Sequence, residues 1–119
     1  MSLLNEIKSV LETIDSNVCY GKAFDSYVRK YGWNIIVFNR KSLKVRNKDI
    51  SREFEIHICR ESYIPEGLDV KVIKAIEDKT ALRCVKDQDM NFNYIRKGDT
   101  DDVVEILTLV FVRADKCQL

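Results

Sequence analysis

Histidine, tryptophan and proline each occur once in this chain, and glycine only four times. Each shortage removes a class of chemistry. Gly21, Gly32, Gly67 and Gly98 stand isolated and open no GxGxxG or GxxxxGKS run, so there is no loop whose amides could cradle a phosphate. One histidine restricts acid–base and metal schemes. His57 does stand two residues from both Glu55 and Cys59. On a strand these three would share a face, but side chains along one strand project in parallel and do not converge on a substrate atom. No nucleophile elbow accompanies them. Cys19, Cys59, Cys84 and Cys117 lack the close pairs of a zinc site, and they read as free thiols suited to a reducing compartment. Charge of one sign is also missing: 20 Lys and Arg oppose 19 Asp and Glu, a net +1, which gives no global attraction to nucleic acid or an anionic membrane. No apolar run approaches the ~18 residues of a membrane span, and the opening residues lack the basic region and continuous apolar core of a signal peptide. The expectation is a single soluble domain over residues 1–119, made in the cytoplasm, without catalytic, cofactor-binding or metal-binding residues and without a membrane partner.

The clearest pattern present is Ser51 to Arg60, where Phe54, Ile56 and Ile58 alternate with Glu53, Glu55, His57 and Cys59. A period of two with one apolar side marks an antiparallel strand resting one face on a core. Two amphipathic helices can cover that face. Leu3, Leu4, Ile7, Val10, Leu11 and Ile14 recur at helical spacing over Ser2 to Asp15, with Ser2 able to cap the start and Asp15-Ser16-Asn17 turning the chain at the end. Leu68, Val72, Ile73 and Ile76 share one side of Leu68 to Glu77, entered through Pro65, whose fixed φ suits a helix start. Val18 to Tyr20, Trp33 to Phe38, Ala81 to Val85, Phe92 to Ile95 and the long apolar run Val103 to Arg113 read as strands, with a frayed tail from Ala114. Lys22 to Gly32 has helical spacing at Phe24, Tyr27, Val28 and Tyr31 but joins two strands, and it reads as a connection carrying aromatic anchors. The predicted fold class is therefore α+β: a mixed, mainly antiparallel sheet with two amphipathic helices on one face, in the order α-β-β-β-α-β-β-β.

The one local departure from charge balance lies between Asn39 and Lys48, where Arg40, Lys41, Lys44, Arg46 and Lys48 occur with no acidic residue. These five are the candidate partner-binding residues. Like charges this dense predict a basic hairpin loop or frayed strand ends, extended and mobile until something anionic meets them. Tyr20, Phe24, Tyr27, Tyr31 and Trp33 could imitate a base-stacking platform beside it, but core packing accounts for them better. Asp99, Asp101 and Asp102, beside Gly98, have too few oxygen donors in series for a calcium loop and read as a solvated turn.

The opening Leu/Ile helix, the Tyr20-Gly21 pair, the strand Arg52-Glu53-Phe54-Glu55-Ile56-His57-Ile58 and the closing strand with Thr108 and Phe111 give a pattern over most of the chain. It resembles the small tail terminator, or tail completion and head-to-tail joining, proteins of long-tailed bacteriophages. The four cysteines and the segment Lys22 to Gly32 depart from that pattern. The resemblance implies a sheet with helices on one side, assembled as a hexameric ring on the tail tube at the tail–head junction of the virion. Its partners would be other copies of itself, the tube protein and a head completion or connector protein. Non-specific contact with genomic DNA in the lumen is a further possibility. A final strand apolar on both sides, with two helices to cover the sheet, independently favours oligomerisation. The competing class is a monomeric nucleic-acid-binding domain using residues 40–48; a small enzyme is the weakest reading.

Overall fold

A computed structural model describes residues 2–23 and 25–116. Phe24, expected as an aromatic anchor, and Cys117 to Leu119 lie outside the described residues. The element order is α1 (Leu3–Glu12), β1 (Val18–Tyr20), α2 (Asp25–Tyr31), β2 (Ile35–Arg46), β3 (Asp49–Glu61), α3 (Leu68–Lys79), β4 (Arg83–Cys84), β5 (Phe92–Arg96) and β6 (Val103–Lys116). The class is α+β, with three helices and six strands in one mixed sheet among the described residues. Strand β1 lies parallel to β2, and the order then runs β2, β3, β6 through antiparallel pairs. Strands β4 and β5 share the far edge of β6, β4 against Phe111 and Val112, β5 against Val103 to Leu107.

The apolar side of the alternating strand is where the expectation places it. Phe54, Ile56 and Ile58 meet Ile36 and Phe38 of β2, Leu107, Leu109 and Phe111 of β6, and Ile7, Leu11, Val72 and Ile76 of α1 and α3 in one buried cluster. Leu3, Ile14, Leu68 and Ile73 pack around its margin. Ser2 caps α1 by accepting a hydrogen bond from the Asn5 amide at 3.2 Å, and Asp15 accepts one from the Asn17 amide at 2.9 Å, so the expected start and exit signals operate. The exit is pinned further by Arg60, which donates to Asp15 Oδ2 at 2.6 Å and to the carbonyl of Cys59 at 2.8 Å. Helix α3 starts at Leu68, as expected, and its N-cap is Gly67, held at φ +89, a left-handed conformation that only glycine adopts without strain.

Several expectations need correction. Lys22 to Gly32 is not a plain connection, because Asp25–Tyr31 forms α2. It packs Tyr27 on the opposite sheet face, against a second cluster of Ile35, Val37, Cys59 and Val104 with Cys19 and Trp33 at its edge. The helix order is thus α-β-α-β-β-α-β-β-β, and helices occupy both faces. Strand β2 does not stop at Phe38 but runs on through the basic run to Arg46, paired with β3 in register. Ala114 is likewise no frayed tail, since it pairs with Ser51 inside β6. Strand β4 is shorter than Ala81 to Val85.

Length decides what the helices can cover. Strands β2, β3 and β6 have 12, 13 and 14 residues, which at about 3.3 Å each reach roughly 40–46 Å. Helix α1 has 10 residues and α3 has 12, only about 15–18 Å at 1.5 Å per residue. The molecule is 51 Å long, and the three strands continue past the helices as an antiparallel arm.

Candidate functional site

The arm begins at an irregularity. Arg40 pairs with Phe54 and Ser42 with Glu53, leaving Lys41 as the extra residue of a β-bulge. Past this point Leu43 and Val45 share a face with Arg52 and Ile50, while Ser42, Lys44 and Arg46 share the other with Glu53, Ser51 and Asp49. The basic run is a regular hairpin and not a loop, closed at Asn47 with φ +52 and by the pair Arg46 and Asp49. One reason charges this dense still pair as strands is Glu53, whose carboxylate lies 3.7 Å from Lys41 Nζ and 3.5 Å from Lys44 Nζ. The five candidate cations therefore do not form one stripe. Arg40 turns to the face that carries α1, Lys44 and Arg46 to the opposite face, and Lys48 sits in the turn. Trp33 and Tyr27 lie against the second cluster near the start of β2, away from the arm, and Tyr20 packs edge-on against Phe38.

On the helix-bearing face, where α1 starts, the arm and the helix enclose an open cleft of about 610 Å³. It is lined by the apolar Leu3, Leu43 and Phe54, by the arginines Arg40, Arg52 and Arg113, and by Lys41 and Glu53, which pair with each other. Arg52 and Arg113 face each other directly across β3 and β6. Among the described residues neither Arg40 nor Arg52 is in an ion pair, and Nη1 of Arg52 is buried without a hydrogen-bond partner. The N-terminus of α1 adds the positive end of a helix dipole at the same place. Arg52 and Arg113 were not singled out in the sequence. The available signals were the position of Arg52 two residues before Phe54, hence on the same face, and of Arg113 at the close of the last apolar run.

The opposite face of the packed half carries the polar row built on His57. Asn39 donates from Nδ2 to Glu55 Oε1 at 3.0 Å and to the Arg40 carbonyl at 3.1 Å, which leaves its Oδ1 as the acceptor for His57 Nε2 at 2.8 Å. His57 Nδ1 then accepts from the Thr108 hydroxyl at 2.8 Å, and the ring is the neutral Nε2–H tautomer. Burial holds its pKa below the ordinary value, with Glu55 pulling weakly the other way. Both nitrogens are thus engaged without Cys59. That thiol is buried in the second cluster, and burial pushes its pKa to about 11, so it is neither ionised nor exposed for attack. The expected row of Glu55, His57 and Cys59 is therefore not assembled; the network that joins three strands is Asn39, Glu55, His57 and Thr108. Among the described residues no group of three His, Cys, Asp or Glu is placed to hold a metal ion, and no helix is long and apolar enough to cross a membrane.

Compared with known proteins, the chain matches no family model and no curated sequence.

Proposed function

We propose that this chain is a structural assembly protein that forms a ring of identical copies. Its role would be that of the tail-terminating and head-joining proteins of long-tailed phages, capping the tail tube and receiving the head at the tail–head junction. The observation that carries this reading is the arm. Three strands outrun the helices by several residues and display Leu43 and Val45 at 60% and 53% exposure. Among the described residues nothing covers them, and an adjacent copy would. The polar row at His57 supports the non-enzymatic side of the reading, because its members are spent on one another. A monomeric nucleic-acid-binding role for residues 40–48 fits less well. An electrostatic groove needs its cations on one side, and here they divide between two faces with Lys41 and Lys44 drawn to Glu53.

The reading is tested by electron microscopy of the purified chain and of tail tubes assembled with and without it. Rings, and tubes capped at one length, are the expected result; dispersed single copies and tubes of unchanged, unlimited length would overturn it. Replacing Arg40, Lys41, Lys44, Arg46 and Lys48 together by Gln then separates two uses of the arm. Uncapped tubes or unjoined heads mean docking to a protein partner, the use favoured here, whereas complete particles that fail only in DNA passage mean the lumen.

A further inference from the structure

The arginine cleft has a complement on the same chain. At the other end of β6, the turn that joins β5 to β6 carries Asp99, Asp101 and Asp102, all exposed, with the exposed Val103 directly after them. The turn is built to be presented. Thr100 donates its hydroxyl to the Lys97 carbonyl at 2.6 Å, the Lys97 amide donates to the Asp102 carbonyl at 2.9 Å, and the Lys97 ammonium is taken by Glu61 at 2.9 Å. The aspartates are therefore the turn's outward charge. From Val103 to Arg113, ten residues of strand separate turn and cleft by about 33 Å at 3.3 Å per residue. They stand at opposite ends of one strand and cannot meet within one copy.

We propose that the cleft of Arg40, Arg52 and Arg113 is a carboxylate-binding site occupied by the Asp99–Asp102 turn of a second copy of this chain. Three features select this occupant over a phosphodiester backbone. Guanidinium groups take carboxylates in paired, planar hydrogen bonds, and three arginines line the cleft, while the Lys41 that also lines it is neutralised by Glu53. The lining by Leu3, Leu43 and Phe54 is apolar, which suits Val103 entering beside the aspartates and does nothing for a sugar-phosphate chain. The charges are also matched within the sequence, so every copy supplies both halves of the junction and the net charge stays at +1. Because cleft and turn are different surfaces, the contact is head-to-tail: it closes into a ring if the rotation between copies allows and otherwise runs on as a filament. The inference rests on the assembly reading above and names the junction that such an assembly would use.

The test is a charge exchange read by light scattering and sedimentation on the full chain. One variant carries Asp99→Lys, Asp101→Lys and Asp102→Lys in the exposed turn; a second carries Arg40→Glu and Arg113→Glu in the cleft, with Arg52 kept. Circular dichroism checks the fold of both, and the turn variant alone suffices should the cleft variant fail to fold. Each alone is expected to associate on the order of a hundredfold more weakly than the wild type. An equimolar mixture, in which every turn again meets a cleft of opposite sign, is expected to regain the wild-type oligomer. A folded turn variant that assembles like the wild type overturns the junction while leaving the assembly reading in place. A wild-type chain that stays monomeric at every concentration overturns both, and a wild-type oligomer that disperses on nuclease treatment assigns the cleft to nucleic acid and overturns the junction.

Discussion

Along β3, Phe54, Ile56, Ile58 and Cys59 are buried, whereas no residue from Asp49 to Glu53 on the same strand is. Along β2 the same break falls between Phe38 and the bulge at Lys41. In the packed half, both sheet faces carry clusters, and each side chain there answers to its neighbours. In the arm the hydrogen-bond ladder continues to the pair Arg46 and Asp49, but among the described residues no second layer accompanies it. Ladder pairing without burial contributes little net stability, so the arm is held by continuity with strands fixed elsewhere. The contrast separates two jobs. Packed residues make the fold, and arm residues are available for contact with another molecule.

The largest effect that should sharpen this contrast is in the core. Ile56→Ala removes a fully buried side chain from beneath both long helices and is expected to cost about 2–5 kcal/mol in denaturant unfolding. A cost near zero would mean the two halves are not packed differently. Next comes the tie that fixes the exit of α1. Arg60→Ala leaves Asp15 without its guanidinium partner and should cost about 1.5–3 kcal/mol, the worth of charge-assisted hydrogen bonds.

The polar row gives a smaller, pH-dependent effect. Because burial lowers the pKa of His57 from its ordinary 6.5, the folded chain binds fewer protons than the unfolded one as pH falls past that value. Stability from this group is complete above the unfolded pKa and is lost progressively below it. Thermal unfolding should therefore show the wild type losing stability from about pH 6.5 downward, with a flatter profile in His57→Gln. An identical slope in the variant would show that the ring is not held neutral. The smallest effect belongs to the arm: Leu43→Ser should leave monomer stability within about 0.5 kcal/mol of the wild type, as befits an exposed position.

The packed half was legible in the sequence because burial writes periodicity. Alternation at Phe54, Ile56 and Ile58 and the helical spacing of Ile7, Leu11, Val72 and Ile76 each name a face, and the faces meet. Helix α2 was harder. Its seven residues bury no side chain fully, so the spacing of Tyr27, Val28 and Tyr31 competed with Gly32 and two flanking strands. The arm was expected as a basic hairpin loop or frayed strand ends, and it is a regular strand pair, because charge excludes burial but does not exclude an exposed strand. The arginine cleft depends on register. Arg52 and Arg113 are 61 positions apart, and only the pairing of β3 with β6 sets them opposite each other. A bulge that returns Leu43 to the face of Arg52 is likewise invisible in a list of residues.

Sedimentation velocity over a concentration series, comparing the wild type with Leu43→Asp and Val45→Asp combined, tests most directly the claim that the arm exists to be covered by another copy. The wild type should move from a single-copy boundary to one discrete larger species as concentration rises, and the variant, with its melting temperature unchanged, should remain a single copy throughout. Superimposable sedimentation of the two proteins at every concentration would contradict the claim.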